Sequence, residues 1–565
     1  MKGKDLIIIQ LISIMKYSTI VDLYEKLAKT SKKIEKRDIL ADFYRSVPKE
    51  ELELIVNFSM GSPTDKDIGI ADELVKNAIA KAFGIKAKDI INKFKTLGDL
   101  GLVAEYFSKN SRQMTLLKKK LTVKKVYDNI IELSNMSGKG SQSKKISLIS
   151  ELLISSSPRE AKYIIRTIFG YMRIGVAKGI VRDAIAKAFN VSAEDVEHAY
   201  DILNNYGKVA YISATNPKKL GKVKIIVGSP LRVMLAQRAK NLREGLEKFE
   251  HPCIETKYDG FRTQIHKDGK KVWIFSRRLE DVTKQFPDLV KLIKKCIKAN
   301  KCIIEGETIA IDKNGKPLPF QKLSKRIQRK YDIEMMTKKI PIQINLFDLL
   351  YVDGKNYMNK PLRERWKKLK KIVNPLEGKL VLANHIETKD YKKAEEFYKW
   401  SLSLGEEGVM IKNLDAIYNP GKRVGFWLKV KPIMDTLDLV IIGAEWGSGK
   451  RTNLIGSYKL AAKSDKGFLP VGMMGSGLTD KQLKEMTEKL KKNIVSEKGR
   501  EIIIKPKIIV EVAYEEIQKS PNYSSGYALR FPRLVRIRYD RSPENASSIS
   551  DIEELYKLQR GRGKK

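Results

Sequence analysis

Residues 68–90 read IGIADELVKNAIAKAFGIKAKDI, and residues 174–196 read IGVAKGIVRDAIAKAFNVSAEDV. The likeness runs without gaps from Asp67–Phe107 to Arg173–Ser213 at a constant offset, pairing Ala78 with Ala184, Phe83 with Phe189 and Gly101 with Gly207. Apolar residues recur at helical spacing in each copy: Leu74, Val75, Ala78, Ile79, Ala82 and Phe83, then Ile180, Val181, Ala184, Ile185, Ala188 and Phe189. Steps of three and four keep them on one face, so each copy predicts a buried amphipathic helix. Residues 1–222 are expected to form an all-α domain with pseudo-twofold character.

Beyond Pro230 the texture changes. Short alternating runs at Thr256–Tyr258, Phe261–His266, Val272–Ser276 and Ile303–Asp312 are separated by Asp-Gly and Gly-Lys turns and broken by a helical stretch at Phe286–Lys298. These are strand and hairpin signals, and they define an α+β domain over 223–432. From Pro432 a third pattern begins, with short strands at Asp438–Ala444, Ser457–Ala462, Ile508–Tyr514 and Val535–Tyr539 and a helix at Asp480–Leu490. A small barrel would look like this, and it is assigned to 433–565. Three domains suit a chain of 565 residues, giving a multidomain α+β fold.

Lys and Arg number 110 against 67 Asp and Glu, a formal charge of +43. Such an excess points to a polyanionic partner, nucleic acid first, although a generally Lys-rich proteome would also produce it. The three cysteines, Cys253, Cys296 and Cys302, include no Cys-x-x-Cys pair, which argues against a zinc finger and leaves room for no more than one disulfide bridge. A reducing, cytoplasmic compartment follows. The apolar run Leu6–Met15 after a basic start imitates an export signal, but no small-residue cleavage site follows it. It is also too short to span a bilayer, so no membrane association is expected. Met15 is read as the start of the folded protein, with residues 1–14 dispensable.

The chemistry centres on Glu255-Thr-Lys257-Tyr-Asp259-Gly260-Phe-Arg262. Alone, Lys-x-Asp-Gly is weak evidence. It is followed in order by Ser276-Arg277-Arg278, Glu305-Gly306-Glu307, Asn345-Leu-Phe347-Asp348, Glu406-Glu407-Gly408-Val-Met-Ile-Lys412 and Trp427-Leu-Lys429-Val-Lys431. The ordered set resembles the nucleotidyltransferase superfamily of DNA ligases, RNA ligases and capping enzymes. Glu160-Ala-Lys-Tyr-Ile-Ile-Arg166, Arg173-Ile-Gly175, Met234-Leu-Ala and Val510-Glu-Val-Ala-Tyr are similar to the archaeal and eukaryotic replicative type of ATP-dependent DNA ligase, most closely the archaeal. NAD-dependent ligases carry a four-cysteine zinc site that three cysteines cannot build.

The resemblance implies Lys257 as the nucleophile that takes AMP from ATP, and an OB-fold as the third domain. It implies that Glu255, Arg262, Arg277, Glu307, Phe347, Arg423, Lys429 and Lys431 hold the nucleotide, with Phe347 stacking on adenine. Glu307 and Glu407 would be the carboxylates of a Mg²⁺ site, since hard oxygen ligands suit that ion. Glu305 stands where relatives have aspartate and is given no role, and Arg541 stands where they have lysine. A lysine attacks phosphorus only as the neutral amine, and Lys429 and Lys431, two apart on one strand face, are expected to lower its pKa.

The implied partner is nicked duplex DNA, sealed by a monomer during replication, repair and recombination. Backbone amides near Ile68-Gly69 and Ile174-Gly175 are expected to hold its phosphates. Gln113-Met-Thr-Leu116-Leu117 matches the place of a sliding-clamp motif, with leucines in place of its aromatics. Gly447-Ser-Gly-Lys450 imitates a phosphate-binding loop but has Ala444 and Arg451 at the positions the loop needs for Gly and Ser/Thr. The alternative is a catalytically silent DNA-binding scaffold, against which the intact Lys257, Glu307, Glu407, Lys429 and Lys431 argue.

Overall fold

The duplication is larger in three dimensions than in the sequence. The computed structural model describes residues 15–559 apart from 62, 65–67, 112–119, 137–139, 328, 330–331 and 433–435. Helices α1 (Tyr17–Lys29), α2 (Lys33–Ser46), α3 (Leu52–Ser59), α4 (Asp72–Phe83), α5 (Ala87–Leu97) and α6 (Leu100–Asn110) form one set. A second set follows: α7 (Val123–Asn135), α8 (Ser141–Ser155), α9 (Pro158–Ile168), α10 (Lys178–Phe189), α11 (Ala193–Leu203) and α12 (Tyr206–Thr215). The starts of α1, α3, α4, α5 and α6 keep one offset from those of α7, α9, α10, α11 and α12, so the repeat begins at Tyr17.

The halves exchange helices. α2 packs on α10 and α3 on α12, while α8 packs on α4 and α9 on α6. Two equivalent hydrogen bonds mark the pseudo-twofold: Tyr17 N–H to Leu121 O at 2.8 Å and Val123 N–H to Met15 O at 2.9 Å. The aligned glycines lie where helices touch. A Cβ on Gly101 would stand 2.7 Å from the Lys162 carbonyl oxygen, and one on Gly207 2.2 Å from that of Glu53. Of the expected helix faces, Leu74, Ala188 and Phe189 are only partly buried and the other residues are buried.

The C-terminal segment is strand-rich. Its strands are numbered after the twelve of the central segment, given below. A sheet runs in the order β15 (Gly467–Met474), β14 (Ile455–Ser464), β13 (Leu437–Trp446), β17 (Glu501–Ile504), β16 (Ile494–Lys498). Bulges in β13 let one edge pair with β17 at Gly443–Glu445 and with β18 (Ile509–Ala513) at Leu437–Val440. β18 also pairs with β21 (Arg533–Arg538), and β19 (Glu516–Lys519) makes a hairpin with β20 (Tyr527–Arg530). No closed barrel forms among the described residues. The described residues of 15–200, 205–222 and 436–549 cluster as one compact unit, and the central segment belongs to the other.

That central unit carries β1 (Gln237–Arg238), β2 (Pro252–Lys257), β3 (Phe261–Asp268), β4 (Lys271–Phe275), β5 (Lys301–Ile311), β6 (Pro317–Leu318), β7 (Ile342–Val352), β8 (Lys355–Asn356), β9 (Leu380–Leu382), β10 (His385–Glu387), β11 (Gly408–Asn413) and β12 (Trp427–Val430). One sheet is ordered β1-β12-β11-β2-β10 and the other β4-β3-β5-β7-β8, with β6 on β5 and β9 on β7. Between the sheets lies a core of Leu231, Met234, Cys253, Tyr258, Ile303, Phe347, Tyr418 and Trp427. No helix of the described residues is long and apolar enough to cross a membrane. Residues 1–14 and the segment holding Gln113, Leu116 and Leu117 lie outside the described residues.

A buried polar chain ties the second sheet to the segment that precedes it. Arg262, Gln264 and His266 alternate along β3 and share one face. The Gly228 N–H donates to His266 Nδ1 at 3.0 Å, so the ring proton sits on Nε2 and is donated to Gln264 Oε1 at 2.9 Å. Gln264 also accepts the Leu231 N–H at 2.7 Å and donates to Glu305 Oε1 at 3.2 Å. Burial pushes His266 down to about 3. The unfolded chain binds a proton near the ordinary value of about 6.5 and the folded chain does not, so this stability is present above that pH and lost as pH falls below it. We expect unfolding stability to drop by about 2 kcal/mol between pH 8 and pH 5 from this group alone. Denaturant titrations at both pH values check it, and His266→Gln should remove that part of the slope.

Candidate active site

Lys257 ends β2 opposite Gly408 of β11, and its carbonyl accepts the Glu407 N–H at 2.9 Å. Its amine lies 2.5 Å from Glu407 Oε2, and the Lys431 amine lies 2.8 Å from the same oxygen. Glu407 therefore sits between two ammonium groups, one residue before β11 begins. Burial works against its charge, but Lys257 and Lys431 outweigh it and hold the carboxyl far below the ordinary range. Burial would likewise push Lys257 down, yet Glu407, Glu307 and Asp259 together raise its pKa above the ordinary value. The expected depression by neighbouring lysines is not present in this arrangement, because the nearest charge is a carboxylate and Lys431 is itself paired with it.

Glycines shape the turn. A Cβ on Gly260 would stand 2.3 Å from the Thr308 carbonyl oxygen. Gly408 has φ +133°, and a Cβ there would stand 2.4 Å from the Val430 carbonyl oxygen. Between them, Glu406 accepts the Asp259 N–H at 2.7 Å, and Asp259 accepts the Phe320 N–H at 3.2 Å. On β12, Leu428 and Val430 are buried in the core, which leaves Lys429 and Lys431 on the opposite face, as the alternation predicts.

Glu307 lies across β3 from Arg262, and burial pushes its carboxyl up to about 8, against partial relief from Lys257 and Arg262. Glu255 is buried and paired with Lys412 at 2.6 Å, and burial raises its pKa as well. Phe347 is edge-on to Trp427 at 5.9 Å, with the Lys412 amine 4.4 Å from its ring centroid. Arg262 lies 5.4 Å from the same ring. Glu305, left without a role in the sequence, holds Arg262 at 2.5 Å. Arg277 and Arg423 are exposed, and no described ion pair draws either into this cluster. Arg541 pairs with Asp438 at 2.7 Å.

Three residues of the central unit escaped sequence reasoning: Tyr418, His266 and Gln264. The signal for the latter two was the polar period of two, Arg262-x-Gln264-x-His266, in a strand expected to be buried. Among the described residues no three His, Cys, Asp or Glu side chains gather into a metal cluster. Of the carboxylates near the lysine, Glu407 and Glu307 are the two expected to hold a cation, and Glu307 is held above its ordinary range by burial. A hard divalent cation would relieve that cost, so the pair fits one completed by non-protein oxygens.

Two sheets with a core between them, and a strand-end lysine facing carboxylates and a second lysine, form the central nucleotidyltransferase domain that the ordered motifs imply. The model of the ATP-dependent DNA ligase domain matches residues 233–431, that of the DNA ligase N terminus 16–186, and that of the ATP-dependent DNA ligase C-terminal region 451–541. A DNA ligase of Thermococcus onnurineus is 46% identical over 553 residues, covering 96% of this chain and 98% of its own. A DNA ligase of Nanoarchaeum equitans is 46% identical over 562 residues, covering 97% and 99%. A solved structure named Pmar-Lig_Pre. shares the fold, with a TM-score of 0.59 at 18% identity, covering 92% of this chain and 99% of that one. The chain belongs to the ATP-dependent DNA ligase family, whose activity is the sealing of nicks in DNA with ATP.

The Lys257–Glu407 contact yields a test that needs no nucleotide. Glu407→Gln removes the charge that keeps the amine protonated, so Lys257 should become more reactive toward an amine-modifying reagent at pH 8, by roughly tenfold for each unit its pKa falls. Peptide mapping by mass spectrometry reads the rate at Lys257, and an unchanged rate would contradict the assigned charge balance.

Proposed function

We propose that Lys257 is the nucleophile, carried to its task by the one carboxylate, Glu407, that it shares with Lys431. The neutral amine attacks the α-phosphorus of ATP. A P–N bond forms and the nitrogen gives up a proton, the bond to the bridging oxygen breaks, and pyrophosphate leaves with that electron pair. An oxygen of the 5′-phosphate at a nick then attacks the AMP phosphorus, the P–N bond breaks, and the Lys257 nitrogen leaves with that electron pair and takes a proton. The 3′-hydroxyl attacks that phosphate, loses its proton and expels AMP.

Lys429 on β12 and Lys431 just past its end stabilise the charge that builds on the α-phosphate. Phe347 offers its ring to the adenine, Glu255 lies beneath it through Lys412, and Glu307 and Arg262 hold the sugar and phosphate. Arg277 and Arg423, being exposed, are assigned to phosphate groups reached from outside the core. Mg²⁺, held by Glu307 and Glu407, would supply positive charge that lowers the pKa of the amine and neutralises the phosphates.

Further readings extend this one. The chain divides functionally at 1–222, 223–432 and 433–565, with an OB-fold last. It acts as a cytoplasmic monomer in replication, repair and recombination, and its three free, buried cysteines suit a reducing compartment. The loops at Gly69 and Gly175, both with positive φ at the starts of equivalent helices, hold DNA phosphates without reading sequence.

Lys257→Ala should abolish enzyme–AMP formation while still closing a nick that is already adenylated, because the last step does not use the amine. Incubation with α-labelled ATP and a gel tests the first half, and a synthetic adenylated nick the second. Adenylation surviving in this variant would refute the mechanism.

For the clamp, Leu116→Ala/Leu117→Ala should keep unassisted sealing and lose stimulation by the cognate sliding clamp. Equal stimulation of variant and parent would rule that contact out.

A further inference from the structure

Behind Arg262 lies a tyrosine that no motif singles out. Tyr418 follows β11 in a loop fixed from several sides. Its N–H donates to the Met358 carbonyl at 2.8 Å, and the Asn419 N–H meets the Met234 sulfur at 3.3 Å. Arg365, held on both oxygens of Asp348 at 2.7 and 3.0 Å, donates to the Ala416 carbonyl at 2.9 Å. The phenol itself is buried. Its oxygen accepts the Met234 N–H at 2.9 Å and an Arg262 Nη2 hydrogen at 3.3 Å, and donates to Glu305 Oε2 at 3.0 Å. One donor and two acceptors are all a hydroxyl has, so the group is fully used. Burial, reinforced by Glu305, holds the phenol well above its ordinary pKa, so it stays a donor.

Arg262 is thereby immobilised. Nη1 donates to the Met234 carbonyl at 2.7 Å, and Nη2 serves Glu305 and Tyr418. The guanidinium lies 5.4 Å from the Phe347 ring and 5.1 Å from that of Trp427. Trp427 is edge-on to Tyr418 at 6.1 Å, which completes an aromatic wall. Both ends of the arginine fork are thus occupied by protein. The Nε–H is buried with no hydrogen-bond partner among the described residues. An unmet buried donor is costly, and a ligand acceptor would relieve it.

We propose that Tyr418 is a positioning residue for the nucleotide: with Glu305 it holds Arg262 against Phe347 and Trp427 so that Nε–H, rather than the terminal fork, meets a sugar or phosphate oxygen. This rests on the reading of Arg262 as a nucleotide-holding residue. Glu305 gains a role from the same geometry, as the anchor of the fork.

The test uses the full chain with Tyr418→Phe, Arg262→Gln and the two combined, each followed by the ATP dependence of enzyme–AMP formation and by thermal melting. Tyr418→Phe keeps the ring and removes the hydroxyl. Loss of a hydrogen bond to a charged group should raise KM for ATP about tenfold and leave the maximal rate within about twofold. In the Arg262→Gln background the same change should add nothing. A lowered melting temperature with unchanged KM would show a purely structural role and overturn the proposal, as would an equal KM effect in both backgrounds. Should Tyr418→Phe fail to fold, Glu305→Gln is read in the same way, and an unchanged KM there overturns the proposal too. A parent protein that takes no label from ATP would defeat the ligase mechanism itself; a parent that labels while Tyr418→Phe keeps its KM defeats only the positioning.

Discussion

One carboxylate shared by two lysines holds the site in order. Glu407 meets Lys257 from β2 and Lys431 from the end of β12, and β11, which Glu407 precedes, lies between those two strands. Strand register therefore sets the charge geometry, since Gly408 is opposite Lys257 and Met410 is opposite both Glu255 and Lys429. The glycine after Glu407 is forced by its φ of +133° and by the Val430 carbonyl against it. A side chain at that position would part β11 from β12 and move the carboxylate away from one of its two partners. Two ammonium groups within a hydrogen-bond length of one carboxylate oxygen hold only if their backbones are fixed first.

The arrangement also explains why a lysine beside other lysines is not neutral here. Cations lower an amine's pKa only when they lie nearer than the carboxylates that accompany them. In this site the carboxylate is nearest, and Glu307 and Asp259 add to it. The amine is thus kept protonated until added positive charge redraws the balance. Glu307, pushed up to about 8, is the group most easily changed by such charge, because burial rather than a hydrogen bond sets its value.

What the sequence disclosed follows from periodicity. Lys429 and Lys431 on one face, with Leu428 and Val430 on the other, needed only the alternation of a strand. Lys257 was legible from motif order, and Glu307 from its place two residues after Glu305. The Glu407–Lys257 contact was not, because a sequence places carboxylates and cations in one site without ranking their distances. Arg277 and Arg423 look like Arg262 as letters, but they are exposed while Arg262 is half-buried beside the rings of Phe347 and Trp427. Tyr418 left no pattern at all, since its position depends on Asp348, Arg365 and Met234, three residues far apart in the chain.

The helical repeat was half legible for a related reason. Helices α4–α6 and α10–α12 kept their likeness where small residues are forced, as at Gly101 and Gly207, each pressed against a carbonyl of a facing helix. Helices α1–α3 and α7–α9 had only to keep an apolar face, and many sequences satisfy that. Yet they make the exchange: Lys145 of the second half donates to the Ile68 carbonyl at 3.1 Å, and Lys36 of the first donates to the Ile174 carbonyl. Each half thus fixes the glycine-bearing loop of the other, through a lysine that the aligned sequences do not pair.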